Sequence, residues 1–374
     1  MGQTYNCQTL LPVGDKIKSL LNKSCISESN MRAILTNRGV FVSDGSKKTT
    51  IPLLTLSILS PKEFEVLQEF QKTKEDSMKI KTSKSVSLTG NDLNTIVPLD
   101  IISSANLVED TSSFSFITDL NFLINNPNQL TLDYEIIRED ISKDWVDSQS
   151  TFAGRVEIAK KSSNSEITFK SEFTSTETEN INYKIIKTVT NHLKANNEIS
   201  ASDSLIEITS EKFNNAERFS FMLQLTNDSP NGFLRFQAVK NIEIGPDKTI
   251  KLPSEGKWME GSVRNIIINS EKGQTLENIE YISNKDYHES LILREIQAQY
   301  IFNFGSVKGT CIIEYGFPHY FRNHAKGKSF ESSIEKIYFA KDSGSSSPKS
   351  ASRKILDEFE KLYQEKYEMS KSKK

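Results

Sequence analysis

Three cations near the start of the chain have the chemistry needed to bind a phosphate group. Arg38, Lys47 and Lys48 flank the turns marked by Gly39 and Gly45. The backbone amides of such a turn and the neighbouring lysines can contact the same phosphate oxygens. A solvated turn explains the same residues equally well, so the pattern predicts a nucleic-acid contact and leaves a plain surface turn as the alternative.

A second candidate contact lies in residues 319–328, a stretch that contains no acidic residue. Its cations are Arg322, Lys326 and Lys328, and Tyr320 and Phe321 stand beside them. Aromatic rings next to cations suit base stacking combined with phosphate contact. The alternative is a polar loop between two strands with its rings packed underneath.

A metal-dependent nuclease is the alternative from another functional class. Restriction-like nucleases hold Mg²⁺ with one acid and a second acid placed two residues before a lysine, both on buried strands. Asp247, Glu255 and Lys257 match those residue types, but Pro253 and Gly256 indicate a turn instead of a strand. The sequence therefore favours a solvated loop here and keeps a diverged nuclease centre as an open hypothesis.

The remaining motifs give no support to an active site. Of the four histidines, only His319 and His324 are close in sequence, and no cysteine or aspartate accompanies them at the spacing of metal ligands. Nucleotide-binding loops and nucleophile elbows are absent from the sequence. We therefore predict no catalytic residue, no metal and no cofactor.

Length and composition indicate a folded protein of two or three domains. The chain has 374 residues, 36% hydrophobic and 26% charged, with a net charge of −2. Because the total charge is near zero, any binding of DNA or RNA must use a local positive patch. Cys7, Cys25 and Cys311 are too scattered for a disulfide framework, and no signal peptide or membrane span is evident. We expect a cytoplasmic protein.

The periodicity of apolar residues predicts an α+β fold. A small helical N-terminal module precedes a mixed, mostly antiparallel β body with packed helices, and a tethered C-terminal helix follows. The predicted segments are a helix–extended–helix module over 1–75, a basic linker over 76–87, the body over 88–341, a flexible linker over 342–352 and an amphipathic helix over 353–374. Docking of that last helix on its own domain or on a partner chain is equally compatible with the sequence.

Several local signals predict individual elements. Gly39 ends a helix, and Ser60 with Glu63 forms a capping box at the start of another. Residues 166–173 alternate as a half-buried strand, and residues 181–193 carry a four-residue apolar repeat typical of an amphipathic helix. Alternating residues on both sides of the turn at 305–309 predict an antiparallel hairpin.

Short motifs spread over most of residues 10–340 resemble one bacterial protein family. They are Leu11-Pro12-Val13-Gly14, Arg38-Gly39-Val40-Phe41, Leu59-Ser60-Pro61-Lys62-Glu63-Phe64, Arg138-Glu139-Asp140, Lys143-Asp144-Trp145, Thr174-Ser175-Thr176-Glu177-Thr178, Trp258-Met259 and Glu314-Tyr315-Gly316-Phe317-Pro318. The family is the B subunit of the two-gene GapS-four antiphage defence system. The resemblance implies a non-catalytic partner of a nuclease subunit in a complex that recognises DNA, and it transfers no site residue. The N-terminal segment also resembles SAP-like helix–extended–helix DNA-binding modules.

The functional hypothesis joins the charge pattern to this resemblance. We expect a DNA-binding accessory subunit of an antiphage nuclease complex, with a companion nuclease encoded nearby. Its nucleic-acid contacts would be Arg38, Lys47 and Lys48, together with Arg322, Lys326 and Lys328. The alternatives are the diverged nuclease and a protein-binding scaffold, and an oligomer is compatible with either reading.

Overall fold

The computed structural model divides the chain into two compact units. It describes residues 14–22, 26, 28–64, 67, 77–104, 107, 114–139, 149–161, 165–259, 266–269, 276, 279–318 and 329–371. Unit 1 consists of Met1–Ser77, Leu93–Glu157 and Phe173–His192. Unit 2 consists of Met78–Asp92, Ile158–Glu172 and Leu193–Lys374.

Helices and strands are mixed throughout both units. The α-helices of the described residues are α1 (Lys18–Asn22), α2 (Glu28–Asn37), α3 (Lys47–Leu56), α4 (Leu93–Ile96), α5 (Thr176–Ala195), α6 (Asn215–Gln224), α7 (Glu280–Ser283) and α8 (Pro348–Lys371), and residues 61–64 form one more helical turn. The strands are β1 (Lys79–Val86), β2 (Phe114–Phe116), β3 (Leu123–Asn126), β4 (Gln129–Glu139), β5 (Gln149–Lys161), β6 (Glu166–Phe173), β7 (Ile206–Glu207), β8 (Leu234–Pro246), β9 (Ile266–Asn269), β10 (Leu291–Phe304), β11 (Val307–Gly316) and β12 (Glu331–Phe339). This arrangement confirms the predicted α+β class with a mostly antiparallel body.

The N-terminal module of unit 1 is built from short helices around a small apolar core. That core contains Ile17, Leu21, Ile26, Met31, Ile34, Leu35, Ile51, Leu54, Leu59, Phe64 and Leu67. Helix α2 ends as predicted, because Gly39 has a φ of 75° and Val40 N–H donates to the Leu35 carbonyl at 2.9 Å. Residues 1–13 and 68–76 of the predicted module lie outside the described residues.

The rest of unit 1 places helix α5 against strand β4. Strand order is β2–β4–β5, with β3 also beside β4. Tyr134 of β4 is 2% exposed, and its hydroxyl donates toward the Thr178 carbonyl at 2.9 Å and the Asn182 side-chain oxygen at 2.8 Å. Gly154 of β5 is required beside it, because a Cβ there would lie 2.3 Å from the Tyr134 ring. The predicted amphipathic stripe of α5 is confirmed, since Ile181, Ile185, Val189 and Leu193 are all buried.

Unit 2 is a largely antiparallel sheet with one continuous apolar core. Its strand order is β6–β1–β12–β11–β10–β8–β9, with β7 beside β1. The predicted hairpin is β10 and β11, paired from Glu295 opposite Gly316 to Phe304 opposite Val307. Alternate residues of these strands, such as Ile296, Tyr300 and Ile313, are fully buried.

Helix α8 docks on unit 2 itself, which decides the question that the sequence left open. Phe359 is fully buried, and its ring centroid lies 5.0 Å from that of Tyr315 and 5.9 Å from that of Tyr300. Arg353 donates to Glu172 of β6 at 2.9 Å, and Lys170 of β6 lies 2.9 Å from Glu360. The amphipathic face predicted for residues 353–374 therefore belongs to the core of the same chain.

Two predicted linkers differ from the structure. Residues 79–86, inside the predicted basic linker 76–87, form strand β1, in which Ile80 is 1% exposed. The lysines of this segment pair with acids of neighbouring strands, since Lys81 lies 2.7 Å from Glu331 and Lys84 lies 3.1 Å from Glu166. Helix α8 begins at Pro348, within the predicted linker 342–352, because proline is well tolerated in the first helical turn. No helix in the described part of the chain is long and apolar enough to cross a membrane.

Candidate nucleic-acid interface

Arg38 is held inside the module by an acid from a distant position. Its Nε donates to Glu63 Oε1 at 2.6 Å, its second guanidinium nitrogen pairs with Glu63 Oε2, and the same nitrogen reaches the Ile58 carbonyl at 2.8 Å. Glu63 also completes the predicted capping box, accepting from Ser60 N–H at 2.7 Å while Glu63 N–H donates to Ser60 Oγ at 3.3 Å. Arg38 therefore fixes the geometry between the end of α2 and the turn at 61–64.

The Arg38–Glu63 pair gives a testable acid dependence. The hydrogen bond from Arg38 lowers the pKa of Glu63 from 4.5 to about 2. Because the folded pKa lies below the unfolded one, the pair stabilises the module above about pH 4.5 and loses this contribution as the pH falls toward 2. An NMR titration of the Glu63 carboxyl should show a midpoint near 2, and Arg38→Gln should move it back toward 4.5. A midpoint near the ordinary value in the parent protein would contradict the pairing.

Lys47 starts helix α3 and reaches back to the end of helix α1. Its ammonium lies 3.3 Å from the Leu21 carbonyl and 3.4 Å from the Asn22 carbonyl. These carbonyls end α1 without an intrahelical partner, so a cation there is favourable. Its backbone N–H also donates to Glu28 at 3.3 Å. The ammonium and the backbone N–H of Lys47 therefore help to position the start of α3.

Lys48 is the predicted site residue that the structure presents most openly. The residue is exposed, and within the described part of the chain neither its ammonium nor its backbone N–H has a partner. The turn before it is fixed by Asp44, whose carboxylate accepts from Ser46 N–H at 2.9 Å and from Thr49 Oγ1 at 2.8 Å. The Ser46 hydroxyl also donates to Asp44 at 2.7 Å, and this bond, followed by the other two, lowers the pKa of Asp44.

Arg32 is a cation near this turn that the sequence interpretation missed. It lies on the exposed side of α2, donates to the Val42 carbonyl at 3.2 Å and packs against Gly45. Arg32 lies four residues after Glu28 on the same helix, so both side chains lie on the same face. This spacing is the sequence signal that could have placed Arg32 near the turn. Residues 15–77 contain ten Lys and Arg residues against eight Asp and Glu, so the module is net positive in a chain of net charge −2.

Exposed apolar side chains adjoin these cations. Phe41 is 82% exposed, Leu56 86% and Ile58 77%. The bond from Arg38 to the Ile58 carbonyl brings the loop after α3 close to the end of α2. Residues 40–42 form no β-strand, and α2 is joined to α3 by the turn at Arg38 and Gly39 followed by an irregular segment.

The second predicted cluster lies outside the described residues. Arg322, Lys326 and Lys328 belong to residues 319–328, between the end of β11 and the start of β12. The predicted contact there stays a prediction.

The residues of the alternative nuclease hypothesis do not form a metal centre within the described part of the chain. Asp247 is engaged in a turn, accepting from Asn215 Nδ2 at 2.7 Å and from Thr249 N–H at 2.9 Å. Burial acts to raise the pKa of Asp247, but the bonds from Thr249 and Asn215 lower it overall. Lys257 is exposed on the short helix Ser254–Met259, and the side chain of Glu255 lies outside the described part.

The described histidines have structural partners. His288 stacks on Phe219 at 4.2 Å and lies 2.8 Å from the Ile282 carbonyl, and His192 lies 3.0 Å from the Ile96 carbonyl. Across the described residues, no group of three or more His, Cys, Asp or Glu side chains is placed to hold a metal ion.

Comparison with known families identifies the N-terminal module. Residues 15–77 match the family model described as the GAPS4b protein N-terminal domain. This match supports the resemblance to the GapS-four B subunit family over the segment that carries Arg38, Lys47 and Lys48. It does not confirm the likeness to SAP-like modules. No curated protein matches the chain.

Proposed function

We propose that this chain is a DNA-binding accessory subunit of an antiphage defence complex, with cleavage carried out by a companion nuclease. The match of residues 15–77 to the GAPS4b N-terminal domain supports a role in such a defence system. The DNA contact is proposed from the cations of the same segment.

The start of helix α3 is the observation on which the DNA contact rests. The helix begins with Lys47 and Lys48 and has no acidic residue in its first turn. A lysine is unfavourable at the positive end of a helix dipole, and Lys48 has no partner among the described residues that would offset this cost. A phosphate gains from this placement, because the free Lys48 N–H, the helix dipole and the Lys48 ammonium all favour an anion at one point.

The predicted contacts divide into two roles in this proposal. Lys48 contacts the phosphate directly, and Lys47 contributes charge from its place at the end of α1. Arg38 acts as a positioning residue, because its bidentate bond to Glu63 occupies the guanidinium. Arg322, Lys326 and Lys328 form the proposed second contact, which lengthens the footprint on the nucleic acid.

The companion subunit is proposed to use the apolar side chains of the module. Phe41, Leu56 and Ile58 are more than three-quarters exposed, which is unusual for large apolar residues of a folded module. Contact with a protein partner would remove them from water, whereas DNA backbone contact would not. The partner is proposed to be the nuclease encoded nearby.

Charge reversal at Lys48 tests the proposed DNA contact. Loss of the one phosphate contact made by Lys48 should weaken DNA binding roughly fivefold at physiological salt. Lys48→Glu should weaken it further, because the new negative charge repels the DNA backbone. Fluorescence anisotropy of a labelled duplex with the purified full chain measures the change. Lys349→Ala, which removes an exposed lysine of α8, should leave the affinity unchanged. If the Lys48→Glu and parent proteins bind DNA with equal affinity at equal thermal stability, α3 does not contact the DNA.

A further inference from the structure

The sheet of unit 2 has one face on the core and a second face with an unusual set of side chains. Tyr300 and Tyr315 point to the core, where their rings pack against Phe359 of helix α8. Alternate residues of the same strands point the other way. Strand pairing arranges them in two outer rows, the first of Arg235, Ile301, Thr310 and Tyr338 and the second of Gln299, Ile312 and Lys336.

Tyr338 presents an aromatic ring on this second face. It is 56% exposed although it lies within strand β12, and among the described residues its ring has neither a ring contact nor a side-chain hydrogen bond. Ile301 and Ile312 are half-buried in the neighbouring strands. The outer face of an antiparallel sheet is normally polar, so an open ring beside two aliphatic side chains suggests a surface for stacking.

Free cations border the ring. Arg235 and Lys336 are exposed, and neither side chain has an ion pair or hydrogen bond within the described part of the chain. Lys308, by contrast, pairs with Asp342 at 2.5 Å. The outer rows themselves contain no acid, because Glu335 occupies the irregularity in the pairing of β11 with β12. The charge of the outer rows is therefore positive and complementary to an anion.

The spacing of these groups suits a chain of linked nucleotides. Lys336 and Tyr338 lie two residues apart on one face of β12, about 7 Å. Arg235 lies three strand spacings from Tyr338 along the first row, about 14 Å. A base stacked on Tyr338 thus has a cation beside it for its phosphate, and a second cation waits across the sheet. Glu314, the next outward residue of β11 after Ile312, bounds this surface at its other end.

We propose that the outer rows of β8, β10, β11 and β12 bind single-stranded DNA, with one base stacked on Tyr338 and phosphates at Arg235 and Lys336. The inference rests on the proposed nucleic-acid role of the chain and adds a single-strand site to the duplex contact at α3. Duplex DNA is unsuitable here, because its bases are already stacked on each other and cannot cover the ring. DNA is favoured over RNA, since a 2′-hydroxyl above Ile301 and Ile312 would lose water without gaining a partner.

Fluorescence anisotropy of labelled oligo(dU), about ten nucleotides long, tests the site with the full chain. Tyr338→Ala should weaken binding roughly tenfold, whereas Tyr338→Phe keeps the ring and should bind as the parent does. Arg235→Gln and Lys336→Gln should each make the slope of log affinity against log salt less steep by about 0.7. Tyr183→Ala, which removes a tyrosine of α5 that is 65% exposed, is the matched control and should change nothing.

Duplex DNA and oligo(U) of the same length separate this inference from the proposed function. Lys48→Glu should weaken duplex binding and spare oligo(dU), and Tyr338→Ala should do the reverse. If Lys48→Glu leaves duplex binding unchanged while Tyr338→Ala loses oligo(dU), the contact at α3 fails and the single-strand site stands. Unchanged oligo(dU) binding in Tyr338→Ala and Arg235→Gln, at a thermal stability equal to the parent's, would overturn the site. Tighter binding of oligo(U) than of oligo(dU) would overturn its assignment to DNA.

Discussion

Replacing Lys170 with alanine should lower the free energy of unfolding of unit 2 by about 3 kcal/mol. Lys170 of β6 pairs with both Asp357 and Glu360 of helix α8, and its side chain is only 10% exposed. Burial acts to lower the pKa of Lys170, but the charges of Glu360 and Asp357 outweigh burial and raise that pKa. Its removal takes away the cation that pairs with both the Asp357 and the Glu360 carboxylates of α8. The expected loss is at the lower end of the range for buried pairs, because the Asp357 side chain is 42% exposed.

Urea unfolding followed by circular dichroism measures this loss. Lys349→Ala, an exposed lysine of the same helix as the two acids, should change stability by less than about 0.5 kcal/mol. Because the folded pKa of Lys170 is raised, its contribution should be complete below the ordinary value of 10.5 and fade only at higher pH. A loss in Lys170→Ala no greater than in Lys349→Ala would show that α8 is not held on unit 2 by this pair.

Local signals in the sequence predicted the elements that depend on a few adjacent residues. Gly39 ends α2, and Ser60 with Glu63 caps the turn at 61–64, because each effect acts within one helical turn. The apolar repeat of α5 was likewise sufficient to place its buried face. Strand β1 was missed because its lysines resemble a solvated linker until Glu331 and Glu166 are brought beside them by strand pairing.

The candidate sites show the same limit. Arg38 was predicted as a phosphate contact, and its partner Glu63 was recognised only as a capping residue 25 positions later. Only the folded structure shows that the Glu63 carboxylate both caps the turn at 61–64 and pairs with Arg38. Lys48 differs, because its exposure follows from its place at the start of α3.

The affinity of the chain for DNA should fall steeply with salt. The predicted contacts contain six cations, and Arg38 is already paired, so up to five phosphates are neutralised. Each contributes about −0.9 to the slope of log affinity against log salt concentration, which gives roughly −4.5 for duplex DNA. A fourfold increase in salt should then weaken binding about 500-fold. Lys48→Ala should make the slope less steep by about one contact.

The salt dependence of DNA binding by the purified chain tests most directly whether these cations bind DNA. Anisotropy titrations of one labelled duplex over a series of salt concentrations give the slope for the parent protein, Lys48→Ala and the Lys349→Ala control. We predict a steep slope that is reduced in Lys48→Ala and unchanged in the control. A flat slope, or no retention of DNA at low salt while the chain still forms a stable complex with a neighbouring gene product, would contradict DNA binding and identify a protein scaffold instead.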